Sequence, residues 1–187
     1  MARLTEQQLE EFATFGFVHL RAHLPPDLTK AIQDETDAAL AAQFRDAPIG
    51  SQWMWTRASA VPQDLAPNLG ALQEHPLLHG PAQQLRGDDV IGMGVDVQRY
   101  IGETAWHSDG FNSEPLPTSE TGGWTAKFML YLDELEEHTG CLWVFPASHL
   151  LRGAEREAFQ STLNSVDFRA VPGKARPRPF SVSAPWY

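Results

Sequence analysis

The apolar pattern of this chain changes after Asp89 from the spacing of helices to the spacing of strands. Before that point, the residues from Leu28 to Phe44 place one largely apolar face at intervals of four. After it, Val95–Tyr100 and Trp124–Leu132 alternate with a period of two. Helices followed by successive strands predict an α+β chain in which helices support a β-sandwich or jelly roll.

Local signals place the boundaries of the helices. Thr5 and Gln8 have the spacing of a capping box, so a helix is expected from Glu6, and Gly16 should end it. The run Pro25–Asp27 should open the second helix. Three further segments are expected before Asp89: a strand at Phe17–Leu20, an irregular stretch at Ile49–Pro67, and a helix at Pro76–Leu85 that Gly87 closes.

The second half should supply the sheet. One face of Trp124–Leu132 is uniformly apolar, and a further strand is expected at Cys141–Phe145. A chain of 187 residues can bury a core of its own, which favours a single domain. We expect residues 1–88 to be mainly helical support, residues 89–171 to form jelly-roll strands, and residues 172–187 to be an irregular tail.

Charge and cysteine content exclude several classes of protein. The net charge of −10, from 24 acidic and 14 basic residues, argues against nucleic acid and anionic membranes as partners. With Cys141 as the single cysteine, no internal disulfide is possible, which favours a cytoplasmic location. The sequence contains no run of 18 apolar residues and no recognisable signal peptide, so no membrane span is expected.

The segment from Trp106 to Gly110 carries the most informative chemistry. His107 and Asp109 lie two residues apart, so in an extended segment both side chains project to one face and can take adjacent corners of one metal. They would form two-thirds of the 2-His-1-carboxylate triad that suits iron(II). The competing interpretation is a loop histidine bonded to a turn-capping aspartate. His75 and His79 have metal-ligand spacing, but Pro76 intervenes, and we interpret them as structural.

Five segments resemble the phytanoyl-CoA dioxygenase family of iron(II)/2-oxoglutarate oxygenases: Leu4–Leu20, the helix opened by Pro25-Pro26, His75–Val90, Lys127–Asp133 and Thr139–His149. In that family a strand of this kind follows the metal-binding H-x-D, and a Gly-x-Leu strand ends in a Pro-Gly-Ser-His turn. Here Ala147 replaces the usual glycine of that turn. The resemblance implies a cupin-like double-stranded β-helix, with His107 and Asp109 as iron(II) ligands and His149 as a structural residue.

The resemblance also implies a site for 2-oxoglutarate. Lys127 would pair with a cosubstrate carboxylate if its face lines the jelly-roll interior; alternatively its stem reaches solvent or it pairs with Asp96. Gln98 would donate an amide hydrogen bond to the same ligand, or it is an ordinary solvent-facing strand residue. Four tryptophans would line an apolar substrate pocket or belong to the core: Trp53, Trp55, Trp106 and Trp124.

The pattern departs from the family after His149. No histidine follows that residue, so the family's distal histidine ligand, and the arginine that clamps 2-oxoglutarate behind it, have no counterpart. Three explanations stay open: the chain is part of a longer oxygenase, a partner chain completes the sheet and the site, or the tail has diverged. The leading expectation is a dioxygenase that hydroxylates a small organic substrate. The alternative is a non-catalytic or incomplete oxygenase-like domain that acts as a subunit or binding module.

Overall fold

The computed structural model describes residues 3–45, 47–48, 52–87, 90–101, 104–107, 126–135, 141–151, 153–165 and 179–180. Within these residues five α-helices lie at Glu6–Phe15 (α1), Pro26–Gln43 (α2), Pro67–Ala71 (α3), Pro76–Arg86 (α4) and Gly153–Ser165 (α5). Four short strands lie at Met54–Arg57 (β1), Asp96–Arg99 (β2), Leu142–Trp143 (β3) and Pro179–Phe180 (β4). In the described part of the chain, no helix is long and apolar enough to cross a membrane.

The helix boundaries predicted from local signals are confirmed. The backbone N–H of Gln8 donates to Thr5 Oγ1 at 3.2 Å, and the Thr5 N–H donates to Gln8 Oε1 at 2.8 Å. Gly16 then ends α1 with a left-handed φ of +84°. α2 begins at Pro26, and α4 ends at Arg86 with Gly87 as its cap.

The sheet is smaller than predicted in the part of the chain that the structure describes. β1 pairs antiparallel with β2, and β3 pairs antiparallel with β4. The result is a mixed helix and strand structure with small antiparallel sheets, and a closed jelly roll is not shown. The strand predicted at Cys141–Phe145 is shortened to Leu142–Trp143, and the tail expected to be irregular contributes β4.

Two strand predictions were wrong. Among the described residues, the segment Phe17–Leu20 is not a strand, because the strand preference of β-branched and aromatic residues depends on their packing context and does not by itself set the backbone conformation. Conversely, the segment predicted to be irregular contains β1, in which Met54 and Thr56 are buried while Trp55 and Arg57 are exposed. An apolar tryptophan on the exposed face obscures the period of two in the sequence.

Residues 126–132 keep the predicted alternation without a strand ladder among the described residues. Phe128, Leu130 and Leu132 are partly buried and pack against the main hydrophobic core. The predicted apolar face is therefore confirmed as a core-facing surface. Its opposite face carries Lys127 and Met129, which are exposed.

The core lies between α2 and one face of the β1–β2 sheet. Ile32 and Leu40 of α2 are buried in the same cluster as Met54 and Val97. The Arg99 guanidinium donates to Asp37 Oδ1 on α2 at 2.7 Å, which links the end of β2 to the helix. One face of this sheet is thus covered by α2. The opposite face carries the residues that alternate with Met54 and Val97 along the strands.

Glu35 is a buried carboxylate that holds α3 against α2. Its Oε1 accepts hydrogen bonds from the backbone N–H of Asn68 at 3.1 Å and from Asn68 Nδ2 at 2.6 Å. Its Oε2 accepts the backbone N–H of Leu69 at 2.8 Å. These are N–H groups of the first turn of α3, which have no partner within the helix. Glu35 therefore accepts hydrogen bonds from the first turn of α3, although the two lie more than 30 residues apart in the sequence.

Candidate functional site

The His107 side chain is exposed, and a backbone hydrogen bond orients its ring. Its Nδ1 lies 2.8 Å from the carbonyl oxygen of Ala105. A carbonyl can only accept, so Nδ1 donates in this bond, which in a neutral imidazole leaves the lone pair on Nε2. This is the arrangement in which metal-binding histidines are commonly held. Asp109, the second predicted ligand, lies outside the described residues.

Gln98 lies on the face of β2 that points away from α2. It pairs across the sheet with Trp55, whereas the alternate positions Thr56 and Val97 are buried in the core. The Gln98 Oε1 atom is inaccessible to solvent and has no hydrogen-bond partner in the described part of the chain. An unsatisfied buried amide oxygen costs about 1–3 kcal/mol, so such a group in a native structure points to a missing partner.

A bound anion would supply a hydrogen-bond partner for the unsatisfied amide of Gln98. Rotating the amide by half a turn presents its NH₂ group where the oxygen now lies, and that group donates hydrogen bonds. A carboxylate of a cosubstrate would accept them. The prediction that Gln98 contacts 2-oxoglutarate stays a prediction, while the buried oxygen does not fit the alternative of a solvent-facing strand residue.

Lys127 lies in a different environment from the one on which its prediction depended. Its side chain is exposed, so no burial penalty requires an anion beside the ammonium group. Tyr131, on the same alternating face, is partly buried, and burial raises its pKa to about 12, an effect reinforced by the nearby Cys141 and Tyr100. The phenol therefore stays protonated at neutral pH.

Aromatic side chains extend the surface around Gln98. Trp53 and Tyr100 stack with ring centroids 6.0 Å apart, and Trp55 neighbours Gln98 across the ladder. Trp53 is 57% exposed and Trp55 is 40% exposed, so the interpretation of these two as core residues was wrong. Trp106 is half-buried, and Trp124 lies outside the described residues.

His75 and His79 have structural partners. His75 Nδ1 accepts the backbone N–H of Leu77 at the start of α4, and His79 Nδ1 lies 3.5 Å from Glu74 Oε2. The prediction that this pair is structural agrees with these contacts. Over the residues that the structure describes, no three histidine, cysteine or acidic side chains are grouped so that they could hold a metal ion.

The turn containing His149 docks on the end of α1. The Ala147 N–H donates to the Phe15 carbonyl at 2.9 Å, and His149 Nε2 lies 3.2 Å from the Ala13 carbonyl. Ala147 adopts a left-handed φ of +65°, the conformation for which the family's usual glycine is suited. His149 therefore occupies a structural position that ties the turn after β3 to the N-terminal helix.

Replacing Gly16 with alanine should destabilise the protein by about 2 kcal/mol. An added Cβ would lie 2.4 Å from His149 Nδ1, and the residue already has φ of +84°. Urea unfolding measures the effect. Gly70→Ala is the matched control, because a Cβ there meets no atom within 4 Å, so alanine should leave stability unchanged or raise it. Equal stability of the two variants would contradict the packing of His149 on Gly16.

One residue that contacts this region carries no functional signal in the sequence. Asn164 of α5 hydrogen bonds to the backbone of Trp106, the neighbour of His107. An asparagine in the last turn of an amphipathic helix ordinarily indicates only the end of that helix. A signal would have required knowing which loop lies beside α5.

Comparison with known families identifies a match that extends over most of the chain. Residues 12–176 match phytanoyl-CoA dioxygenase (PhyH). Comparisons with curated proteins and with solved structures found no match. The matched region includes β1, β2, the H-x-D segment and the His149 turn. The family consists generally of cupin-like dioxygenases that use iron(II) and 2-oxoglutarate. The resemblance drawn from the sequence is thus confirmed, and the chain belongs to the phytanoyl-CoA dioxygenase family.

Proposed function

We propose that the chain is a non-haem iron(II)/2-oxoglutarate-dependent dioxygenase that hydroxylates a small organic substrate. Family membership supports the reaction class. The single structural observation that carries the proposal is the hydrogen bond from His107 Nδ1–H to the Ala105 carbonyl, which leaves the lone pair on Nε2. This hydrogen bond favours the tautomer of the neutral ring in which Nε2 can bind a metal.

His107 and Asp109 would hold the iron, and Gln98 and Lys127 would bind 2-oxoglutarate. Bound iron in this class activates dioxygen and couples the decarboxylation of 2-oxoglutarate to oxidation of the substrate. The chain's own residues supply positioning: the Ala105 carbonyl orients the imidazole, and the buried amide of Gln98 offers a donor for a carboxylate. A carboxylate at position 109 favours hydroxylation over halogenation, because it occupies the place that a halide would need.

For the fold, we propose a cupin-like double-stranded β-helix within a single domain over residues 1–187. The β1–β2 sheet supports this arrangement, because α2 covers one of its faces while Gln98 lies on the other. Helices in 1–88 would then form the outer support, and residues 89–171 would provide most of the barrel.

The exposed aromatic residues favour an apolar portion in the substrate. Trp53 and Tyr100 are stacked beside the face that carries Gln98, and large aromatic side chains give apolar contact area together with a polar tip. The net charge of −10 leads us to propose a small molecule rather than nucleic acid or a membrane as the partner, and a cytoplasmic location.

A second candidate function is a non-catalytic or incomplete oxygenase-like domain that binds a partner. One observation favours it: within the given sequence, no histidine follows His149. A partner chain that pairs with the short sheets would both cover their edges and supply the missing ligand.

Turnover without an added substrate separates the two candidates. The purified chain would be supplied with Fe(II), ascorbate, 2-oxoglutarate and air, and succinate and oxygen consumption would be measured. Slow succinate formation that requires iron supports the oxygenase. Iron uptake without succinate formation favours the non-catalytic domain. If succinate formation then appears when a co-purifying partner chain is added, a site shared between the two chains is favoured.

A further inference from the structure

Asn164 binds both backbone polar groups of Trp106. Its Oδ1 accepts the Trp106 N–H at 2.8 Å, and its Nδ2 donates to the Trp106 carbonyl at 3.0 Å. A side-chain amide has one acceptor and one donor side, so it satisfies the backbone of one residue in the manner of a neighbouring strand. The two residues are 58 positions apart, so this contact joins α5 to the segment that contains His107.

α5 is itself fixed in place near this contact. Phe159 packs edge-to-face on Phe145, with ring centroids 4.7 Å apart and planes at 81°. Leu163, the residue before Asn164, is buried. Phe145 leads into the turn of Ala147 and His149, which is bonded to the end of α1. Asn164 therefore lies on an element that is anchored to the N-terminal helical support.

The contact with Asn164 is adjacent to the His107 hydrogen bond. The Ala105 carbonyl holds the imidazole, and the next residue, Trp106, is held at its N–H and its carbonyl. Fixing the peptide units on both sides of Trp106 fixes the direction in which His107 leaves the backbone. Without the two hydrogen bonds from Asn164, the backbone that carries His107 must be ordered when the metal binds. The entropic cost of that ordering weakens metal binding.

We propose that Asn164 is a positioning residue that pre-orients His107 for metal binding. The proposal rests on the proposed function of His107 as an iron ligand. Outer partners of metal ligands change affinity by about 10–100-fold, and the exposed setting of Asn164 places its effect near the lower bound, about tenfold.

Three variants isolate the two hydrogen bonds. Asn164→Leu removes both, and Asn164→Asp keeps the acceptor for the Trp106 N–H but loses the donor to its carbonyl. Ser161→Leu is the matched control, because it places the same apolar side chain at an exposed position of the same helix. Two properties are measured: amide hydrogen exchange at Trp106 without metal, and Co(II) affinity from the visible absorption of the bound ion.

In Asn164→Leu, the Trp106 amide should exchange about fivefold faster or more than in Ser161→Leu, and Co(II) affinity should fall about tenfold. Asn164→Asp should retain amide protection and lose part of the affinity. Unchanged exchange in Asn164→Leu would overturn the contact. Faster exchange with unchanged Co(II) affinity would overturn the positioning role. If the wild-type chain bound no Co(II) while exchange still responded to the variant, the iron site itself would be refuted, and the role of Asn164 with it.

Discussion

Replacing His107 with alanine should weaken Co(II) binding by about a hundredfold or more, because removing a ligand costs at least as much as removing the partner of a ligand. His107 Nε2 carries the lone pair that would bind the ion, since Nδ1 is committed to the Ala105 carbonyl. An anaerobic titration followed by visible absorption measures the dissociation constant. Thermal unfolding of the metal-free protein should change little, because the side chain is exposed.

His79→Ala is the control for His107→Ala. It removes an imidazole that lies beside Glu74 on the α4 side of the molecule, away from the H-x-D segment in sequence. Its Co(II) affinity should match that of the wild type. If both alanine variants bound Co(II) as tightly as the wild type, His107 would not be the ligand. If both lost affinity to the same extent, the binding would be non-specific binding by surface histidines.

The second large effect is on stability. Replacing Glu35 with alanine should lower the free energy of unfolding by about 3 kcal/mol. The substitution removes the acceptor of two backbone N–H groups, those of Asn68 and Leu69, and of the Asn68 side chain. The Leu69 group is buried and cannot turn to water. Urea unfolding at neutral pH gives the difference.

Two further variants test the role of the Glu35 carboxylate. Glu35→Gln keeps one acceptor oxygen but presents an NH₂ group to the other set of donors, so it should lose about half as much stability. Asp34→Ala removes the neighbouring exposed carboxylate, whose partner is Lys30, and should cost about 0.5 kcal/mol or less. A loss in Glu35→Ala no greater than in Asp34→Ala would show that α3 is held by packing alone.

Sequence reasoning predicted the helices of the first half because their signals are local. Each signal lies within one helical turn of the boundary that it sets: the capping box of Thr5 and Gln8, the helix-starting Pro26 and the helix-ending Gly87. β1 was missed because Trp55, an apolar residue, occupies its exposed face, so the burial alternation is visible only in the structure. The segment at Phe17–Leu20 has strand-like composition, but pairing depends on partners that composition does not specify.

The same distinction separates the predicted site residues from the missed ones. His107 and Asp109 could be predicted as ligands because a metal can be bound by residues two positions apart, which is a local pattern, and the assignment stays a prediction. Asn164 and Glu35 act on backbone groups 58 and 33 or 34 residues away, and nothing near them in the sequence indicates their partners. For Lys127, the sequence left open whether the side chain is buried beside an anion or reaches solvent, and its exposure agrees with the second alternative.

An anaerobic titration with Fe(II) followed by 2-oxoglutarate tests most directly whether this chain forms the oxygenase site. In the wild-type protein, a weak visible charge-transfer band should appear only when both components are present and saturate at about one iron per chain. The band should be absent in His107→Ala. A wild-type protein that takes up no iron, or a band that persists unchanged without His107, would contradict the assignment of this histidine as the anchor of the metal centre.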